Sequence, residues 1–254
     1  MAIIALKAWY LREYEPIREL EKRPQDLRLS KNSLLKSALR ADFLDDSATV
    51  KDAEWFQRYL EGESVEFYIE GSGGYAVANV DLISHELYFV KREVLSHLEP
   101  IVFFCYQTEY EESSAILRQE LVFALEQLNQ RSRIALRLEE SHRASDSPLR
   151  LSSSLLRKLR RSLILVADGT AILGVETHPV QLFPSPKVCV ELGYALQCKR
   201  PEQILLVQME RSGLPGQFPF DVPTSQKLVF KTQTELQKLL TSALESQMKR
   251  FSLL

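Results

Sequence analysis

Cysteine, histidine, glycine and one-signed charge are all in short supply in this chain, and each shortage excludes a class of protein. The three cysteines, Cys105, Cys189 and Cys198, lie inside apolar stretches rather than at staple-like spacings. They read as reduced, buried thiols in a reducing compartment. The four histidines, His85, His97, His142 and His178, stand far apart with no Cys or His partner at ligand spacing, so neither a zinc site nor any other metal is expected. Glycine clusters once, at Gly71-Ser72-Gly73-Gly74, between two alternating runs and with no Lys-Ser/Thr behind it. That context makes a hairpin connection, not a phosphate-cradling loop. No Gly-x-Ser-x-Gly occurs, so the nucleophile elbow of a serine hydrolase is missing. No apolar run approaches the roughly 20 residues of a spanning helix. Met1 to Leu11 carries Lys7 in mid-run and lacks a basic leader and a small-residue cleavage site. A cytoplasmic chain with no membrane partner is expected. Lysine and arginine number 32 against 34 acidic residues, a net charge of −2. No global field draws such a chain to nucleic acid.

What is present is ordinary globular material, 45% hydrophobic and 26% charged over 254 residues, enough for two modest domains. Up to about residue 98 helix and strand signals are mixed. Helices are expected over Glu15 to Glu21, Ser30 to Leu44 (capped by Ser30 or Asn32) and Val50 to Leu60, which ends at Gly62. Alternation at Val65, Phe67 and Ile69, then Tyr75 to Val80, then Leu87 to Val90, predicts an antiparallel meander over Ser64 to Arg92. Trp9 and Trp55 are expected in the core. Past a junction near Ser96 to Pro100 the pattern changes. Ile101 to Cys105 and Leu163 to Ala167 are continuous apolar runs, as in strands buried on both faces. Further strands are expected at Ile134 to Leu138, Ile204 to Gln208 and Leu228 to Phe230. The helices between and after them are expected at Ser113 to Gln130, Leu151 to Arg160, Val188 to Lys199 and Thr232 to Phe251. The reading is α/β: a mostly parallel five-stranded sheet with helices on both faces (residues 99–254), preceded by a small α+β domain with an antiparallel meander (1–98).

Ligands of such sheets bind beyond the carboxyl ends of the strands. That rule selects Tyr106-Gln107-Thr108, Asp168-Gly169-Thr170 and the loop Phe183 to Lys187. Asp168-Gly169-Thr170 either holds ribose hydroxyls or is plain loop chemistry. On the third helix of this half, Val188, Leu192 and Ala195 form an apolar stripe with Glu191 at its flank. There Glu191 is either a solvated glutamate near a positive helix end or a carboxylate at a cleft edge. The latter can stabilise or attack an oxocarbenium-like centre. The cluster Arg157, Lys158, Arg160 and Arg161 is expected to face solvent at a helix end.

Ile101 to Gln107, Leu163 to Asp168, Pro186-Lys187-Val188-Cys189-Val190-Glu191-Leu192-Gly193-Tyr194-Ala195-Leu196, Ile204 to Val207 and Phe218-Pro219-Phe220-Asp221 occur in that order. Over roughly residues 100–250 this resembles the prokaryotic TIR-like nucleotide-binding family and, more distantly, nucleoside deoxyribosyltransferases. The resemblance implies a flavodoxin-like, TIR-like fold and cleavage of the nicotinamide–ribose bond of NAD⁺. It implies Glu191 as the catalytic group, with Tyr106, Gln107, Asp168, Gly169, Ser185, Lys187 and Tyr194 against the nucleotide. It further implies NAD⁺ as substrate rather than cofactor, a homo-oligomer, and a sensor-plus-effector arrangement of prokaryotic (antiphage) defence. Ser185-Pro186-Lys187-Val188 stands where the family often has Asn-Pro-Asn-Val, so Lys187 either meets a phosphate or is solvated. Residues 1–98 carry no such resemblance. The competing expectations are a non-catalytic nucleotide-binding or scaffold protein that self-associates, and a nucleoside deoxyribosyltransferase.

Overall fold

The structure is a computed structural model that describes residues 5–34, 38–92, 95–141, 153–218, 223 and 226–254. Pro219, Phe220 and Asp221 of the Phe-Pro-Phe-Asp element, His142, and the expected helix start at Leu151 lie outside the described residues. The chain divides into two compact units, Met1–His97 and Leu98–Leu254. Among the described residues no helix is long and apolar enough to cross a membrane.

The first unit runs β1 (Ala5–Tyr10), α1 (Ile17–Leu20), β2 (Leu27–Leu34), β3 (Ala38–Phe43), α2 (Ser47–Asp52), α3 (Glu54–Leu60), β4 (Glu66–Ile69), β5 (Gly73–Asp81) and β6 (Glu86–Lys91). The six strands close into an antiparallel barrel in the order β1-β2-β3-β6-β5-β4. The expected meander is its β4-β5-β6 portion, and Gly71 (φ 67°) and Gly73 (φ 109°) supply the left-handed backbone of the first turn. The expected helix over Ser30 to Leu44 is overturned, because the described part of that stretch lies in β2 and β3. Leu27 and Leu29, then Leu39, Ala41 and Phe43, are buried at every second residue. That period serves the barrel interior, and closure of the barrel outweighs the helical propensity of the Leu, Lys and Ala between them. Glu15 to Glu21 shrinks to the single turn of α1. The Val50 to Leu60 helix breaks at Ala53 (φ −70°, ψ 138°). An unbroken helix would set Val50 and Trp55 about 140° apart, whereas the break lets both join the barrel core. Trp55 meets Phe67 edge-on with centroids 5.2 Å apart, and Phe67 meets Phe89 at 6.0 Å.

The second unit runs β7 (Glu99–Cys105), α4 (Glu111–Asn129), β8 (Arg137–Glu140), α5 (Ser153–Arg161), β9 (Ser162–Asp168), β10 (Leu173–Val175), β11 (Gln181–Phe183), α6 (Pro186–Cys198), β12 (Ile204–Met209), β13 (Lys227–Phe230) and α7 (Gln233–Arg250). Five strands form a parallel sheet in the order β13-β12-β9-β7-β8. β10 and β11 make a separate antiparallel hairpin that the sequence pattern did not suggest. The strand period assigns the sheet faces. Ile101, Phe103, Cys105, Leu165, Ala167, Ile204 and Leu206 share one core with Leu159 of α5 and with Val188, Leu192 and Ala195 of α6. The alternate residues Val102, Phe104, Ile164, Val166, Leu205 and Val207 are equally buried and face the other way, towards the side of α4 and α7, which pack on each other. Helices thus cover both faces, which is why the strands read as unbroken apolar runs. Two members of the basic cluster pair with strand carboxylates: Lys158 with Glu139 at 3.2 Å and Arg161 with Glu99 at 3.0 Å.

Candidate functional site

The face assignment decides where each candidate side chain goes. Asp168 ends β9 on the α4 side, and its carboxylate is fully buried. Oδ2 accepts from the hydroxyls of Ser113 (2.6 Å) and Ser114 (2.7 Å) at the start of α4, and Oδ1 accepts from the Thr170 amide (3.0 Å). Three donors on one carboxylate satisfy the buried charge and lock the turn that follows the strand. Gln107 joins the same network. Its amide donates to Ser114 Oγ at 3.0 Å, and Nε2 donates to the Thr170 carbonyl at 3.0 Å and to Ser113 Oγ at 3.3 Å. Its Oε1 is a buried acceptor with no hydrogen-bond partner among the described residues. Gly169 has a packing reason to lack a side chain, since a Cβ there would stand 2.5 Å from Leu206 Cδ1. Its amide donates to Val207 O at 2.8 Å, tying the turn to β12.

Tyr106 follows β7 on the α4 side. The Arg118 guanidinium lies 5.0 Å from its ring centroid, with Nε and Nη2 forked onto Glu140 at 2.7 and 2.9 Å.

Ser185, Lys187, Glu191 and Tyr194 belong to α6, on the opposite face. The Ser185 hydroxyl caps the helix by accepting from the Lys187 amide at 3.3 Å, and Pro186 takes the first helical position, where its missing N–H costs nothing. Val188, Leu192 and Ala195 form the buried stripe expected of them. Glu191, expected at the flank of that stripe, is entirely buried. It is the sixth residue of α6, past the first turn, so the helix end does little to hold its charge. The hydroxyl of Ser141, itself buried just beyond β8, donates to Glu191 Oε2 at 3.5 Å. Tyr194 is half-buried against the α6-side core.

Glu109, in the loop after β7, stands beside the start of α6. Burial works to raise its carboxyl pKa, but the Glu109 and Thr108 amides, the Ser185 hydroxyl and the charge of Lys187 bring it below the usual range. Lys187, open between a phosphate and solvent on sequence grounds, therefore stands near a carboxylate. Among the described residues no group of three or more His, Cys, Asp or Glu is placed to hold a metal ion, and none of the three cysteines is in a disulfide.

Sequence reasoning missed Ser113, Ser114, Ser141 and Glu109. Paired serines opening a helix are a visible signal, but only the strand register shows that they face Asp168. Ser141 follows a four-residue strand with no pattern of its own. Comparison of the chain with protein-family models, with curated proteins and with solved structures finds no match.

Proposed function

We propose that the second unit is a TIR-like, flavodoxin-like domain that hydrolyses the nicotinamide–ribose bond of NAD⁺, with Glu191 as the catalytic group. The observation that carries this reading is the buried carboxylate of Glu191, held on α6 beside the Ser141 hydroxyl at the carboxyl edge of the parallel sheet. A carboxylate in a low-dielectric site is suited to stabilise positive charge that develops during reaction. As the C–N bond breaks, the electron pair leaves with nicotinamide, which departs neutral, and the ribosyl carbon becomes cationic. Water then adds there and loses a proton, giving ADP-ribose. The resemblance over residues 100–250 supports the same residue. The network of Gln107, Ser113, Ser114, Asp168 and Thr170 would fix the floor of the nucleotide site rather than lend loose hydroxyl-binding groups. The barrel would serve as sensor or assembly module, and the active form would be a homo-oligomer.

Release of free nicotinamide from NAD⁺, followed by chromatography at several protein concentrations, tests the reading. Glu191→Gln is expected to lower turnover by about 10²-fold or more. Its thermal midpoint should move by no more than about 4 °C, the equivalent of about 1 kcal/mol. A variant that keeps full turnover sinks the assignment.

A second reading, a non-catalytic nucleotide-binding protein, is favoured by the structural bonds that occupy Asp168. It predicts stabilisation by ADP-ribose with no product from NAD⁺; ligand at 100 times Kd adds about 2.7 kcal/mol.

A further inference from the structure

The carboxyl end of β12 opens onto a hollow that neither Glu191 nor Asp168 lines, although Gln208 and Met209 of its wall hydrogen-bond to Gly169 and Thr170 of the adjoining turn. Its volume is about 910 Å³, within the range of small-molecule sites. Gln208 and Met209 line it from the end of β12, Leu182 from β11, and Lys227 and Lys231 from β13 and its end, with Arg211 beside them. Among the described residues three cations therefore face one carboxylate, Glu210, which pairs with Lys231 at 2.9 Å. Among the described residues neither Arg211 nor Lys227 pairs with a carboxylate. Arg211 is pre-positioned: Nη1 donates to the Ala171 carbonyl at 2.8 Å, and the guanidinium lies 4.2 Å from the Tyr110 ring centroid. The Lys227 ammonium lies 5.8 Å from the Phe218 ring centroid. Cations gathered in a concave site raise the local concentration of anions.

We infer that this hollow binds a small molecule bearing a phosphate or diphosphate group, with the anion between Arg211 and Lys227 and the rest against Leu182 and Met209. It is distinct from the glutamate site. Ser141, which meets Glu191, follows β8, and β8 and β13 are opposite edges of the sheet. A guanidinium already held by a carbonyl and a ring loses little freedom on binding, so the recognition is pre-organised. The inference does not depend on NAD⁺ hydrolysis.

Titration calorimetry of the full chain at low ionic strength tests it, with sodium pyrophosphate as probe and sodium citrate and sodium chloride as comparisons. Saturable binding of pyrophosphate at one site is expected. Lys227→Gln and Arg211→Gln should each weaken it about tenfold or more, the scale of one lost charge-assisted contact. Lys158→Gln, on α5, should leave it unchanged. No heat at millimolar pyrophosphate would overturn the proposal, as would undiminished binding by both hollow variants. Citrate binding as tightly as pyrophosphate would overturn the phosphate preference. Nicotinamide release by Lys227→Gln, measured alongside, separates failure of this site from failure of the glutamate reading.

Discussion

In residues 1–97 the buried interior is almost wholly apolar, with Trp55, Phe67, Tyr75 and Phe89 meeting edge to face and only Ser30 and Ser96 as described buried polar side chains. Residues 98–254 bury Gln107, Ser113, Ser114, Ser141, Asp168, Thr170, Ser185, Glu191 and Lys199, among others. Each such group loses hydration on folding and must recover it from a partner. The barrel keeps its charges outside, in pairs such as Arg12 with Glu54 and Arg28 with Asp45, where an ion pair contributes little. The difference separates two jobs. The barrel holds a shape through packing, whereas the sheet domain spends folding stability on fixing buried polar atoms, among them Gln107 and Asp168 at the carboxyl ends of its strands. Chemistry that needs oriented charge belongs to the second.

Two substitutions test that contrast from its two sides. Phe67→Ala removes the ring at the centre of the barrel's aromatic cluster and is expected to cost about 3–5 kcal/mol. Both tryptophans lie in the first unit, so urea unfolding followed by tryptophan fluorescence reads the barrel directly. A loss below about 1 kcal/mol would mean that the barrel is not held by this cluster. Asp168→Ala strands two buried hydroxyls and an amide without their acceptor, and is expected to cost about 3 kcal/mol. Circular dichroism melting checks it. An unchanged midpoint would show that the network is not structural and would return Asp168 to the pool of ligand-binding groups.

The sheet half was far more legible from sequence than the barrel half, for a physical reason. A strand covered on both faces must be apolar throughout, so Ile101 to Cys105 and Leu163 to Ala167 announce themselves whatever surrounds them. Strands β2 and β3 carry one apolar face each, in a stretch rich in Leu, Ala, Arg and Lys that suits a helix as well. What made them strands is closure onto β1 and β6, a pairing between distant residues that no local period encodes. The same limit applies to the site. Position after a strand was readable for Gln107 and Asp168, and position on the helix was readable for Glu191. Which side of the sheet each points to was not, because it depends on register: Asp168 turned to α4 and Glu191 to the side of Ser141.

Lys199 supplies the finest test, because its effect depends on pH alone. It ends α6 almost wholly buried, and its ammonium donates to the Ser162 carbonyl at 2.5 Å. Burial pushes its pKa down from 10.5 to about 8, with Cys198 and Cys105 acting weakly the other way. Between those two values the unfolded chain binds the proton and the folded chain does not, so stability rises with pH across the window. The cost of the buried charge is fully present below about pH 8 and gone above about pH 10.5. From about pH 8 to about pH 10 the gain is about 2 kcal/mol. Lys199→Met keeps the length and apolar stem of the side chain but has nothing to titrate, so its urea-unfolding free energy should miss that rise. Parallel curves for the two proteins across the window would show that Lys199 is not desolvated in the folded chain. They would also narrow the contrast with the barrel, whose described charged side chains all sit outside its core.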